Sequence, residues 1–373
     1  MTRKIQIAFV GKEASPVYYP ISLYKPDKVV LFYSEQTTNV ADCIKEVIQE
    51  NVKDVQCEKR KLSPNNIGEI TKNLVKCYEQ YKDDEVIVNF SSGTKAWAYI
   101  AIQEKVRLNN VQFIYVDQTN TIWNLTTEQQ DSFDIESIDT ELKLHMVETI
   151  RYKSMTGYTD EDRATVKTIK ALRQFHPGEF NELTMDFSKH ANKTLSETKN
   201  GSSLLWDKAT KSFVMCLRKN NGKCMEEKLQ SPNVRNLLLN TGWFEFQVAD
   251  IMSKWDFVKD IRLNCVFPSK ENAPKNEIDI IASTGKRLIF VECKTDIRDK
   301  TAIDKFAKAS KNYGGLGRIA IFVTEEPLDS TELEKCNDSN ILTFSFKNVL
   351  FDADPEEELC DKILQQLSKI NSI

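Results

Sequence analysis

Apolar residues recur along this chain with two different periods. Short β-rich runs stand at residues 5–10, 28–33, 55–59, 85–90 and 111–116. Between them, at 39–51, 66–81 and 94–109, apolar positions fall three and four apart, as Ile44, Val47 and Ile48 do, and as Ile67, Ile70, Leu74 and Cys77 do. Strands alternating with helices predict a parallel sheet joined by crossover helices. The polar stretch Asp117-Gln118-Thr119-Asn120 then leads into a further β-like run at 121–125, a closing hairpin that ends a first domain near residue 140.

Helical spacing at 138–152 and 160–175 predicts a connector, its second helix stopped by His176-Pro177-Gly178, and polar residues 188–203 read as loop. The pattern then changes. Short β-rich runs at 204–206, 213–217 and 224–229, separated by Asp207-Lys208-Ala209-Thr210 and Asn220-Asn221-Gly222, predict an antiparallel meander. A helical stretch at 234–255, strands at 261–267, 277–282, 287–293 and 319–323, and a helix at 299–312 predict a second α/β domain. The expected organisation is an α/β domain over residues 1–140, a helical connector over 141–200 and a second α/β domain over 201–373.

Composition narrows the picture. A chain of 373 residues is long enough for two domains, and 40% hydrophobic with 28% charged residues excludes a disordered chain. Lys+Arg minus Asp+Glu is 51 − 55 = −4, so any site for a polyanion has to be local. Apolar runs are strand-sized, far below the ~20 residues of a membrane span, and the start of the chain reads as a first strand rather than a leader. Nine cysteines without C-x-x-C spacing, and His145, His176 and His190 without zinc-site spacing, suit a reducing cytoplasm and give no metal framework.

The sharpest chemical signal is Asn276-Glu277-Ile278-Asp279-Ile280 followed, across a Ser283-Thr284-Gly285 turn, by Glu292-Cys293-Lys294. Side chains alternate along a strand, so Glu277 shares a face with Asp279, and Glu292 shares one with Lys294. A turn on Thr284-Gly285 would set Glu277 opposite Glu292 and Asp279 opposite Phe290, leaving Asp279 and Glu292 on a diagonal of ~7–8 Å. Carboxylates that close repel unless a cation lies between them, and hard oxygen donors favour Mg2+ or Mn2+. Lys294 beside such an ion could offset charge developing on a phosphorane. A solvated hairpin with surface ion pairs is the plain alternative. Against it, Leu288-Ile289-Phe290-Val291 is apolar on both faces and makes a buried strand. Upstream, Asn240-Thr241-Gly242 opens a helix that carries Glu245, a third carboxylate; downstream, Lys300, Lys305, Lys308 and Lys311 lie on a helix leading to Tyr313-Gly314-Gly315-Leu316-Gly317-Arg318.

This pattern resembles the restriction-endonuclease-like PD-(D/E)xK nuclease superfamily over residues 200–345, with Ile278 in place of the motif's proline. The resemblance implies Glu245, Asp279, Glu292 and Lys294 as catalytic residues, and Glu245, Asp279, Glu292 and the Cys293 backbone carbonyl as ligands of Mn2+ or Mg2+.

In a parallel α/β sheet, ligands sit beyond the carboxyl ends of the strands. The loops there are Gly11-Lys12-Glu13-Ala14-Ser15, then Ser34-Glu35, and Asn89-Phe90-Ser91-Ser92-Gly93-Thr94-Lys95. The last places small hydroxyls, a glycine and a lysine at a helix start, where free N–H groups attract phosphate, although Thr94 or Ser92 could equally serve as an N-cap. A Rossmann-like domain with this S-x-G-T-K turn resembles the CARF domain over residues 1–140. CARF followed by PD-(D/E)xK is similar to the type III CRISPR ancillary nucleases activated by cyclic tetra-adenylate. The resemblance implies a homodimer with one two-fold pocket. Gly11, Lys12, Glu13, Ser15, Ser34 and Glu35 would line it, Ser92, Gly93, Thr94 and Lys95 would hold phosphates, and Asp117 and Gln118 would lie nearby. It also implies cleavage of DNA, RNA or both, single strands included, in antiviral defence. Two other expectations stand beside it: a ligand-responsive regulator that binds nucleic acid without catalysis, and a constitutive restriction or repair nuclease.

Overall fold

The computed structural model describes residues 2–149, 151–190, 193–239, 241–268, 274–295, 297, 301–315, 317–349 and 354–371. Asn240, Lys300 and Leu316, named above, lie outside the described residues. The N-terminal sheet is built from β1 (Lys4–Phe9), β2 (Lys28–Tyr33), β3 (Gln56–Lys61), β4 (Glu85–Asn89), β5 (Asn110–Val116), β6 (Thr121–Asn124) and β7 (Gln129–Ser132), in the order β3-β2-β1-β4-β5-β6-β7. Strands β3 to β5 pair in parallel and the last two turn back antiparallel. Chain order reverses at β1 and β4, which makes their carboxyl ends the switch point. Helices α1 (Ser15–Tyr24), α2 (Thr38–Asn51), α3 (Ile67–Gln80) and α4 (Lys95–Gln103) complete the crossovers. The pattern of hydrophobic residues did not mark α1. Its Pro16 and Pro20 read as breakers, yet Pro16 stands in the first turn, where its missing N–H costs nothing.

The residues that follow the first sheet belong to both halves. Helix α5 (Ile138–Leu144) stops well before residue 152, where a longer helix is expected, because Met146 takes a left-handed φ of 57°. Its continuation, β8 (Arg151–Ser154), becomes the edge of the C-terminal sheet by pairing with β13 (Asp260–Pro268). The predicted second helix is α6 (Asp160–Phe175); α7 (Pro177–Lys189), for which the sequence pattern predicts no element, follows it with its own apolar face in Phe180, Leu183 and Phe187 and reaches only the first two residues of the stretch read as loop. The meander is present as β9 (Leu195–Glu197), β10 (Ser203–Asp207), β11 (Ser212–Arg218) and β12 (Cys224–Leu229). Helical residues 234–255 divide into α8 (Val234–Leu238) and α9 (Gly242–Met252).

The C-terminal sheet has the order β17-β16-β15-β14-β13-β8. After β13 come β14 (Pro274–Ser283), β15 (Leu288–Lys294), α10 (Thr301–Gly314), β16 (Ile319–Thr324), α11 (Ser330–Asp338), β17 (Leu342–Ser345) and α12 (Pro355–Asn371). Strands β13, β14 and β15 are antiparallel; β15, β16 and β17 are parallel.

Three apolar cores hold the chain. One lies on a single face of the first sheet around Phe9, Phe32 and Trp97, and another fills the C-terminal half around Phe187, Phe213 and Phe244. The third is shared, running from Ala8, Leu31 and Ile44 through Phe133 and Ile135 to Phe267, Phe290 and Phe322. The two halves are therefore fused rather than tethered. A buried arginine reinforces the joint: Arg262 of β13 donates to both oxygens of Asp139 at 2.5 and 2.8 Å and stacks 4.0 Å over Tyr152. No described helix is long and apolar enough to cross a membrane.

At the switch point the chain approaches itself closely. A Cβ on Gly11 would stand 2.2 Å from Ser92 Oγ and 2.8 Å from the Gly93 N. We predict that Gly11→Ala destabilises the protein by about 1–3 kcal/mol through this overlap with backbone. Gly68→Ala, whose added atom meets nothing nearer than 3.7 Å, should not. Denaturant titration of both variants checks this.

Candidate active site and ligand cleft

The hairpin of β14 and β15 carries the expected chemistry, in a register shifted from the one the turn sequence suggests. Ser283 pairs with Leu288, Ala282 with Ile289, Ile281 with Phe290 and Ile280 with Val291. Asp279 therefore does not face Phe290; continued in register, its neighbour is Glu292. The reason is the turn. Thr284 and Arg287 are hydrogen-bonded to each other, so the two turn residues are Gly285, with φ +77°, and Lys286, rather than Thr284 and Gly285.

Beyond Ile280 and Val291 the ladder ends, and the Asp279 carboxylate takes over by accepting the Cys293 N–H at 2.8 Å. Lys294 Nζ stands 3.1 Å from Asp279 Oδ2, 2.7 Å from Glu292 Oε1 and 3.1 Å from the Cys293 carbonyl. One ammonium thus links both carboxylates of the motif. Strict alternation fails here: Glu277 is exposed while Asp279 is buried, and Ile278 and Ile280 enter different cores. The break lies opposite Asn264 of β13, whose φ is +50°.

Asn264 is also the residue that ties in Glu245. Helix α9 packs on the hairpin and buries Glu245, whose Oε2 accepts from Asn264 Nδ2 at 2.6 Å. Burial and then the charge of Asp279 push Glu245 up to about 8, and the same two causes push Glu292 up to about 7. Burial works against the Lys294 charge, but Asp279 and Glu292 prevail and raise its pKa. The site is a buried cluster of acids with more negative charge than one lysine neutralises. Among the described residues no three His, Cys, Asp or Glu side chains are already arranged to hold a metal ion. The donor set nevertheless suits a hard cation: carboxylate oxygens, a carbonyl, and the Asn264 Oδ1, which is buried with no partner among the described residues.

The loops of the first sheet open onto a second site. A cleft of about 470 Å³ lies between the halves, and Lys12, Glu13, Ser15, Ser92, Asp117 and Gln118 line its sensor side. Gly11, Ser34, Glu35, Gly93, Thr94 and Lys95 do not line it. Ser34 closes a capping box with Thr37, Glu35 pairs with Lys61, and Thr94 caps α4 by accepting the Trp97 N–H. The other wall comes from beyond the first domain: His145, Lys286, Arg287 and Arg318. Sequence pattern did not single these out. The only signal was the basic pair Lys286-Arg287 at a hairpin tip. His145 lies 3.4 Å from Glu141, which also accepts from Ser15 and Tyr19; burial opposes both charges, but the pairing raises the His145 pKa and lowers that of Glu141. A further depression of about 450 Å³ lies between α2 and α5, where Lys143 is paired with Glu46 and Glu50, and Asp139 with Arg262. Lys305, Lys308 and Lys311 are exposed on the outer side of α10.

With this geometry described, two domain families match. Residues 4–120 match the family described as HFX_2341_N-like, N-terminal, and residues 233–342 match the Card1-like endonuclease domain, which contains Glu245, Asp279, Glu292 and Lys294. The chain has a CARF-plus-nuclease architecture. Solved structures agree over nearly the whole length. Can2 from Sulfobacillus thermosulfidooxidans, in complex with cyclic tetra-adenylate, superposes with a TM-score of 0.70 at 16% identity, covering 98% of this chain and 99% of that one. Protein VC1899 from Vibrio cholerae gives 0.73 at 16% identity, covering 99% and 98%. A type III CRISPR defence DNA nuclease activated by cyclic oligoadenylate gives 0.54 at 16% identity, covering 93% of this chain and 49% of that one. No curated protein matches.

The raised acids give a pH dependence. A carboxyl whose folded pKa lies above its unfolded value contributes stability that is complete below about 4.5 and is lost as pH rises through the folded value. Metal-free protein should therefore lose melting temperature as pH rises from about 4.5 to about 8 through Glu292 and Glu245, and Glu245→Gln should flatten that fall. Mn2+ in 100-fold excess over its Kd should restore about 2.7 kcal/mol at pH 8. Thermal scans across pH, with and without Mn2+, measure all three.

Proposed function

We propose that this protein is an endonuclease switched on by a cyclic oligoadenylate, cyclic tetra-adenylate in particular, which hydrolyses phosphodiester bonds of DNA or RNA with the help of Mn2+ or Mg2+. The observation that carries this reading is the meeting of Asp279, Glu292 and Lys294 at the end of one hairpin inside a Card1-like endonuclease domain. Support for the activator comes from the cleft at the carboxyl ends of β1, β4 and β5, and from the cyclic tetra-adenylate held by a structure of the same fold.

Glu245, Asp279, Glu292 and the Cys293 carbonyl would hold the divalent ion. When bound, such an ion supplies Lewis-acid polarisation of a phosphoryl oxygen and a more acidic water. The chain's own residues do the rest. Asp279 is fixed by the Cys293 N–H and cannot swing away from β15. Lys294 remains charged at neutral pH and holds its donors where negative charge grows on the phosphorane. Asn264 keeps Glu245 turned toward the other acids.

Two copies complete the arrangement. Tyr99 and Ile102 of α4, with Val106 in the following turn, are 68%, 42% and 84% exposed, an apolar stripe at helical spacing. Tyr115, also exposed, connects that side with the cleft. A second copy of this chain placed there would join two clefts into one two-fold pocket, suited to a two-fold ring. The reading places the protein in the cytoplasm, in antiviral defence.

Plasmid DNA, single-stranded DNA and single-stranded RNA, incubated with Mn2+ with and without cyclic tetra-adenylate, test the proposal. Ring-dependent cleavage of at least one substrate is expected. Glu292→Ala should lower it by about 100-fold or more while calorimetry still detects the ring. Equal cleavage without the ring would point to a constitutive nuclease, and ring binding without any cleavage to a non-catalytic regulator.

A further inference from the structure

The hairpin that ends in the acid cluster begins in the ligand cleft. Arg287 immediately precedes β15, which carries Glu292, and the two lie roughly 17 Å apart at the usual rise per residue. Between them β15 is buried in register with β14 on one side and β16 on the other, so the strand cannot bend freely. Its tip is anchored to the sensor half. The Ile135 N–H donates to the Gly285 carbonyl, Asn120 Nδ2 donates to the Lys286 carbonyl at 2.8 Å, and Lys286 Nζ reaches the Phe133 carbonyl at 2.6 Å and Asp134 at 2.8 Å.

Arg287 is different. It lines the cleft, is only partly exposed, packs against Gly317, and its guanidinium makes no hydrogen bond or ion pair with another described residue. The nearest acids are committed elsewhere. Asp117 accepts from Thr119, Thr121 and Trp123, and Glu141 from Ser15 and Tyr19 while it pairs with His145. Burial holds the Arg287 pKa below its usual value despite the attraction of those two carboxylates. Arg318, on the same wall, donates among the described residues only to Ser310 and to the Gly315 carbonyl. A half-buried guanidinium without a counter-charge is costly, and its planar fork fits two oxygens of a phosphate.

We propose that Arg287, supported by Arg318, is a phosphate-reading residue of the activator site, supplied by the nuclease half, and that the β14–β15 hairpin passes its engagement to Asp279 and Glu292. The inference rests on the ring-activated nuclease reading. It adds a ligand contact outside the sensor domain, and it makes one hairpin both receptor and catalyst support. Lys286 and Asn120 serve as the anchor that keeps the tip in register with the sensor loops.

The test starts from wild-type protein that binds cyclic tetra-adenylate and is stimulated by it; absence of either would overturn the functional reading and this inference with it, whereas the variants that follow bear on this inference alone. Arg287→Gln is then expected to weaken ring binding about 10- to 100-fold by calorimetry, and to remove most of the stimulation even at saturating ring. Arg287→Lys, which keeps the charge and loses the fork, should recover binding only in part, and melting without ring should not fall below wild type for either. Asn120→Gly, which frees the tip while tolerating the left-handed backbone there, should lower stimulation at saturating ring at least about fivefold. Wild-type ring affinity in Arg287→Gln would overturn the contact. Full stimulation at saturation in either Arg287→Gln or Asn120→Gly would overturn the hairpin as the connection.

Discussion

Where β14 and β15 part beyond Ile280 and Val291, a side chain replaces the missing backbone partner: Asp279 accepts the Cys293 N–H. That hydrogen bond sets the rest of the site. It brings a carboxylate into a place that backbone pairing would otherwise close, against Glu292 and under Glu245, and among the described residues only Lys294 lies within ion-pair distance of both strands' acids. The outcome is a cluster in which Glu245 and Glu292 hold their protons to unusually high pH, an arrangement that a divalent cation would relieve.

The second constraint is the shared core. Apolar side chains from the first sheet, from Phe133 and Ile135, and from β14, β15 and β16 pack as one body, and Arg262 clamps Asp139 across the same boundary. Two domains joined by a loose linker could move without affecting each other. Here, any change at the sensor loops acts on strands that also frame the acid cluster. The cleft lies at this boundary, with walls from both halves.

Much of this was legible along the chain. Both periods marked the parallel strands and most helices, because strands buried on both faces and amphipathic helices have unambiguous patterns. The Asp279, Glu292 and Lys294 triad was visible because charged residues rarely end a buried strand without a purpose. The register was not: Thr284-Gly285 and Gly285-Lys286 are both acceptable turns, and the choice depends on the tertiary fit of Ile135 and Asn120 to the hairpin tip. Helix α1 was hidden by its prolines, and β8 by a helical-looking run that Met146 breaks. Asn264, which orients Glu245, has no sequence signature at all, and Ser34, Thr94 and Glu35 turned out to be used in caps and an ion pair. The far wall of the cleft was illegible for a simpler reason: Lys286, Arg287 and Arg318 are separated by more than a hundred positions from the loops they face.

The central claim is that one hairpin joins an activator cleft to a metal-binding acid cluster, and linkage tests it most directly. If so, ring and cation must alter each other's affinity by the same factor. Mn2+ binding to catalytically active protein, titrated with and without saturating cyclic tetra-adenylate and no nucleic acid present, should be tighter with the ring, and the ring should bind correspondingly tighter with Mn2+. Superimposable Mn2+ isotherms in the two conditions would contradict the account.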